Sequence, residues 1–188
     1  MTAGGRSTAR LAMVSMLSAG GLVLFVFESF LPVLPWFRPG LGNIATILAL
    51  MMLGFGDAMK VTVLRVTLGS LVLGRLFTPV FVLSISGGLA SALVMAIVWK
   101  AGSRLFGPVG ISVAGAVAHN FVQIAAAYLI FVKSFELFIF LPIFMLAGIA
   151  TGILTGLVSA LMLDRIGTRF SGLAGSGKRP GNGEDGRG

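Results

Sequence analysis

Seven polar side chains stand inside otherwise apolar stretches of this 188-residue chain: Glu28, Asn43, Lys60, Arg65, His119, Asn120 and Gln123. An ionisable group at membrane depth costs roughly 2.5–3.5 kcal/mol on insertion scales, so such groups face a cavity or a partner rather than lipid. The Arg65 guanidinium is suited to grip a carboxylate or phosphate through two parallel N–H bonds. His119 and Gln123 fall at i, i+4 and share a helix face, with Asn120 adjoining on its flank. Together they could hydrogen-bond what Arg65 anchors. Two plainer roles compete: Glu28 with Arg65 as a structural ion pair, and His119 with Asn120 as a polar tie between helices. Lys60 lies within a turn of a span boundary and is expected to snorkel to the interface. Asp57 is expected to cap the helix that follows it.

No catalytic set accompanies these residues. The chain has no GxxxxGK[ST] phosphate loop, no GxSxG elbow, no HExxH pair and no DDxxD cluster for magnesium. Its three aspartates, Asp57, Asp164 and Asp185, are isolated. The absence of cysteine excludes thiolate metal sites and disulfides, and a single histidine excludes a His-rich metal centre. An active site needs converging acid, base or metal ligands. The expectation is therefore a binding protein with no catalytic residue, metal or cofactor.

The elements that must position these groups are membrane helices. Hydrophobic residues make up 56% of the chain and charged ones 11%, with a mean hydropathy of +1.02. A soluble domain carries about 25% charged residues, so a water-facing globular enzyme is excluded. The net charge of +8 could suggest nucleic acid, but the basic residues lie between apolar runs, the pattern of membrane topology. The first apolar run is longer than a signal sequence and no small-x-small cleavage site follows, so it reads as a retained helix.

Apolar runs and their Pro, Gly and charged breakers predict an all-α bundle of about six spans, at residues 11–31, 43–55, 58–74, 79–99, 108–132 and 135–163. The second is short, and the second and third could instead form a re-entrant hairpin, leaving four crossings. The domain reading is a short tail at 1–10, a transmembrane domain at 11–165 and a Gly-rich, unstructured tail at 166–188. Six crossings place Arg6, Arg10, Lys100, Arg104, Arg165, Arg169, Lys178, Arg179 and Arg187 on one side, and only Arg38, Arg75 and Lys133 on the other. The positive-inside rule then puts both termini in the cytoplasm.

Depth follows from helical rise: Arg65 lies about 10 Å into its span and His119 about 16 Å into its own. Glu28 and Asn43 sit at the outer level. The expected pocket is thus in the outer half, lined by Glu28, Asn43, Arg65, His119, Asn120 and Gln123. The segment 30–42, with three prolines, Trp36, Phe37 and Arg38, would be its lid. Small residues predict close helix approach: Gly148, Gly152 and Gly156 form one stripe, and Ser15 with Ala19 a weaker one, either for packing within the bundle or for docking a partner.

Three segments carry a family resemblance: ESFLPVLPWFRPGLGNIATILAL (28–50), LRVTLGSLVLGRLFTPVFVLSISGGLAS (64–91) and GPVGISVAGAVAHNFVQ (107–123). They resemble the bacterial membrane family called heptaprenyl diphosphate synthase component I, or Gx transporter family, over roughly 11–163. That name implies a part in making a polyprenyl diphosphate tail. The family is also similar to the substrate-binding S-components of energy-coupling factor (ECF) transporters, six-helix proteins that bind a small molecule under the loop after the first helix. This second likeness implies a multi-pass protein of the bacterial inner membrane, served by an ECF-type scaffold and ATPase subunits. Ser15 and Ala19 stand nearest to the Ala-x-x-x-Ala docking motif of those proteins. The function expected is therefore a transporter's substrate-binding subunit with an anionic ligand. The alternative is a membrane subunit of polyprenyl diphosphate synthesis.

Overall fold

A computed structural model describes residues 3–30, 40–102 and 106–175, with side chains at 7–30, 40–102 and 106–166. The expected lid residues Trp36 and Arg38 lie outside the described residues, as does the chain from position 176 on.

The described chain is an all-α bundle of six helices: α1 (Ala3–Glu28), α2 (Asn43–Leu53), α3 (Phe55–Val72), α4 (Pro79–Gly102), α5 (Pro108–Ala126) and α6 (Leu141–Gly175). Proline opens α4 and α5, where its missing N–H costs nothing and its fixed φ suits the first turn. Four segments are long and apolar enough to cross a membrane: Ser7–Glu28, Pro79–Gly102, Pro108–Val132 and Phe135–Ile166. Their lengths match the roughly 20 residues that a bilayer core requires. Helix α3 is about 27 Å long by its rise, but it carries Asp57, Lys60 and Arg65.

Helix α2 is the exception and the centre. Its 11 residues span about 16 Å, roughly half a bilayer core. Residues 43–50 are all buried, as expected of a helix that is apolar on every side. It packs against all five other helices, while α3, α4, α5 and α6 follow one another around it and α1 leans on α2 and α3. Gly54 turns the chain from α2 into α3 at φ +94° and ψ 178°, a conformation open essentially to glycine alone. The apolar core (Val14, Ile47, Leu50, Val61, Met95 and Ile111 among others) fills the half of the bundle nearest this turn. The polar end of α2 at Asn43 points the other way.

At the α2–α3 turn, Asp57 is the third residue of α3 rather than its cap. Gly54 is the N-cap, and no side chain caps the helix. The spacing reading started α3 three residues late, because Gly54 ends one helix and starts the next without a polar capping residue. The buried Asp57 carboxylate instead takes two cations, Lys60 Nζ at 2.9 Å and the Arg10 guanidinium, which also reaches the Leu53 carbonyl at 3.4 Å. This fastens the start of α1 to the turn. Both cations are largely exposed, so solvent screening reduces their contribution. Asp57→Ala is expected to free that end of α1 and to speed tryptic cleavage after Arg10 by about fivefold, as for about 1 kcal/mol of lost pairing. An unchanged cleavage rate would show that the clamp holds nothing.

Small residues bring α5 and α6 together. A Cβ on Gly152 would lie 2.7 Å from the Val113 Cα, and one on Gly156 would lie 2.6 Å from the Val109 Cα. On Gly148 it would lie 2.6 Å from the Asn120 amide. Ser112 and Thr155 hydrogen-bond across the same seam at 2.7 Å. The stripe on α6 thus packs within the bundle, where direct backbone contact replaces the weak hydrophobic drive available in lipid. Ser15 and Ala19 lie exposed on the outer face of α1.

Past α5 the chain widens into a π-helical turn, Ala127–Val132, ended by Lys133 in the left-handed region. A 3-10 turn, Phe135–Phe140, then leads into α6. Tyr128 stacks edge-on against Phe135 and Phe138, with ring centroids 5.9 and 5.4 Å apart. Aromatic clusters of this kind sit at membrane–water boundaries, where rings tolerate both phases.

Candidate functional site: a buried arginine between α1, α2 and α3

The last residue of α1, Glu28, is 4% exposed and accepts a hydrogen bond from the Leu41 backbone N–H. That bond brings the chain entering α2 back against the end of α1. Two residues later Asn43 opens α2, also buried. Its Oδ1 accepts from Arg65 Nη2 at 2.6 Å, and its Nδ2 donates to Ser91 Oγ on α4 at 3.3 Å. One amide therefore ties α2, α3 and α4 and fixes the plane of the guanidinium.

Arg65 is 3% exposed. Two glycines make room for it. A Cβ on Gly42 would fall on the Arg65 Nη1, and a Cβ on Gly21 of α1 would meet the Arg65 Cδ at 3.2 Å and the Ala45 Cβ at 2.9 Å. The Glu28 and Arg65 side chains line the same cavity. Arg65 Nε is buried and has no hydrogen-bond partner among the described residues. A buried N–H left without an acceptor costs about 1–3 kcal/mol, so it must be explained rather than ignored.

A cavity of about 10 Å³ opens here, bounded by Phe25, Glu28, Asn43, Arg65, Ser84 and His119. That is close to the space one water molecule needs. His119 reaches the cavity from α5 by passing over Gly87 of α4, where an added Cβ would lie 3.1 Å from its ring. The site thus draws on α1, α2, α3, α4 and α5, and its polar groups converge in an otherwise apolar interior.

Of the residues singled out by sequence, Glu28, Asn43, Arg65 and His119 line this one cavity. Gln123 is half-buried on the same face as His119, over Gly87, but does not line the cavity. Asn120 points away. Its amide donates to the Phe144 carbonyl of α6 at 2.6 Å, a polar tie between helices. A residue one position from His119 is turned about 100° around the helix, so the two serve different neighbours. Phe25, Ser84 and Ser91 escaped the reading, along with the clearing role of Gly21 and Gly42. A signal for α4 was present: Ser84, Gly87, Gly88 and Ser91 fall at helical spacing on one face, a small and polar stripe inside an apolar helix. Among the described residues, no group of three or more His, Cys, Asp or Glu side chains could hold a metal ion.

Residues 17–162 match the family model described as heptaprenyl diphosphate synthase component I. No curated protein and no solved structure matches the chain.

Proposed function

The chain is a member of the heptaprenyl diphosphate synthase component I family, and from that starting point we propose that it is a membrane-embedded binding subunit for a small anionic molecule. Arg65 would hold the anion, with Asn43 orienting it and His119 supplying a hydrogen bond from the far wall. Asn120 and Gln123 would shape α5 behind the cavity. The observation that carries this reading is the buried Arg65, held by Asn43 in a polar cavity while its Nε has no acceptor among the described residues. Inside a bilayer such a group marks a substrate path or a pairing partner. Charge-assisted hydrogen bonds from guanidinium to an oxyanion are about twice as strong as neutral ones.

Movement of the bound molecule would fall to partner subunits, an ECF-type scaffold and ATPases in the reading favoured here, because the chain has no phosphate loop of its own. The protein would lie in the bacterial inner membrane with both termini in the cytoplasm. Helix order supports that orientation: Arg10, Lys60, Lys100 and Arg165 belong to one end of the bundle, Arg75 and Lys133 to the other.

The family description favours a second reading, a membrane subunit acting beside a polyprenyl diphosphate synthase. Co-purification separates the two. The tagged chain, extracted in mild detergent, is expected to bring down ATPase subunits and a water-soluble anion. Recovery of a soluble prenyl synthase or a polyprenyl diphosphate would support the second reading instead. Arg65→Ala is expected to insert normally yet lose its bound anion, with affinity falling at least about tenfold for one lost charge-assisted contact. Unchanged affinity in that variant would remove Arg65 from the site.

A further inference from the structure

Glu28 has no part in holding the anion in the reading above, yet it is buried in the wall of the same cavity. Among the described residues the titratable side chains of that wall are Glu28 from α1, Arg65 from α3 and His119 from α5, all buried. Asn43 of α2 and Ser84 of α4 complete its polar lining without charge. Arg10, Asp57 and Lys60 pair with one another at the α2–α3 turn. Arg75 follows the end of α3, and Lys133 follows the π-turn. Positions 31–39 add a single charged residue, Arg38, which lies outside the described residues.

With Glu28 ionised, Arg65 and Glu28 sum to zero. A monoanion arriving at Arg65 then leaves one uncompensated negative charge in a protein interior within a membrane, where unpaired charge is least tolerated. One proton removes the excess. Protonating His119 would leave Arg65, His119, Glu28 and the anion all charged, and each buried ion adds its own desolvation cost. Protonating Glu28 leaves only Arg65 and the anion charged. It also turns a competing carboxylate into a neutral group with an O–H to donate. A carboxyl oxygen still accepts from the Leu41 N–H, so the end of α1 stays tied to the chain entering α2.

We infer that Glu28 is a proton site coupled to the anion: a monoanion binds at Arg65 together with a proton from solvent, which Glu28 takes up. This rests on the anion-binding reading above and adds its linkage to pH. Since binding consumes a proton, affinity rises with acidity.

The test uses the full chain in detergent and monoanions whose own charge does not change near neutrality: nitrate, methanesulfonate and benzenesulfonate. Thermal unfolding is titrated with each between about pH 5 and pH 8, and half-saturation is expected to rise by up to about tenfold per pH unit while Glu28 of the unliganded protein is ionised. In Glu28→Gln that slope should vanish and binding at the alkaline end should exceed wild type; in His119→Gln the slope should persist. Should Glu28→Gln misfold, two measurements on wild type replace it. An indicator dye in weak buffer should report uptake of about one proton per bound anion, and the infrared difference spectrum should gain a protonated-carboxyl band and lose a carboxylate one. Half-saturation independent of pH, with no proton uptake, would overturn the inference and leave anion binding standing, with another cation such as Arg38 balancing the charge. A slope that survives in Glu28→Gln, or uptake without a carboxyl band, would overturn Glu28 as the acceptor. No midpoint shift with any of the three anions at any pH would overturn the binding reading itself.

Discussion

Gly42→Ala weakens anion binding at least about tenfold while leaving the six helices assembled. That is the expected result, and it is sharp because the backbone gives no reason for glycine at this position. Gly42 has φ −58° and ψ −20°, ordinary right-handed geometry that alanine adopts freely. In the absence of neighbours, the exchange would stabilise slightly by restricting the unfolded chain. The new Cβ, however, falls on the Arg65 Nη1 and within 3.1 Å of its Cζ. The guanidinium has to leave its slot and abandon the 2.6 Å bond to Asn43. An anion that the displaced guanidinium no longer reaches loses a charge-assisted hydrogen bond of about 1.5–3 kcal/mol, or roughly ten- to over a hundredfold in affinity. Gly20→Ala is the control: it lies on exposed α1 with nothing within 4 Å of an added Cβ. Equal half-saturation for the tightest anion in both variants would mean that the position of Arg65 does not govern binding.

Gly156→Val produces the largest loss of stability. Its side chain would start 2.6 Å from the Val109 Cα, 2.9 Å from the Ser112 Cβ and 3.1 Å from the Pro108 carbonyl. Two of these three atoms are backbone, so no rotamer change makes room. Helix α6 must move off α5, which strains the Ser112–Thr155 hydrogen bond and withdraws the Phe144 carbonyl from Asn120. Overpacking a tight contact costs about 1–3 kcal/mol, and the lost polar ties add to it. Gly156→Ala should show a smaller drop in unfolding midpoint and Gly156→Val a larger one, because the valine methyl groups extend the same clash. Midpoints equal to wild type in both would show that this seam does not hold the bundle together. The two experiments are independent, since Gly42 and Gly156 lie on separate seams.

The sequence disclosed the membrane class, the all-α fold and the shortness of the second span through charge scarcity and apolar run lengths. Depth arithmetic put Glu28 and Asn43 at the outer level but Arg65 only about 10 Å in from the other end. The three share a level because α2 is short and α3 starts at Phe55, so Arg65 climbs back beside Asn43. What it could not disclose was which way each helix faces. In lipid the outer surface of a helix is as apolar as its buried one, so hydropathy does not separate inside from outside. Asn120 illustrates this. Assigning it to α6 rather than to the cavity requires knowing on which side of α5 that helix stands. The slot around Arg65 was hidden for a different reason. Gly21, Gly42 and Arg65 meet only after three segments are folded against one another, and each glycine taken alone looks like an ordinary small residue. Asp57 shows the opposite failure, where a familiar local signal was read and the chain used the residue for a longer-range tie to Arg10.

The half-length of α2 has a consequence for how the protein is made. A segment of 11 residues is too short to be held by a bilayer on its own merits as it leaves the ribosome. Its polar first residue, Asn43, must wait for Arg65, 22 positions later, and for Ser91, 48 positions later, before its amide is satisfied. The nascent chain therefore carries α2 unlodged until α3 and then α4 have been synthesised, and α5 and α6 complete its surroundings last. Biogenesis runs from the rim inward, and the innermost helix is among the last parts to find its place.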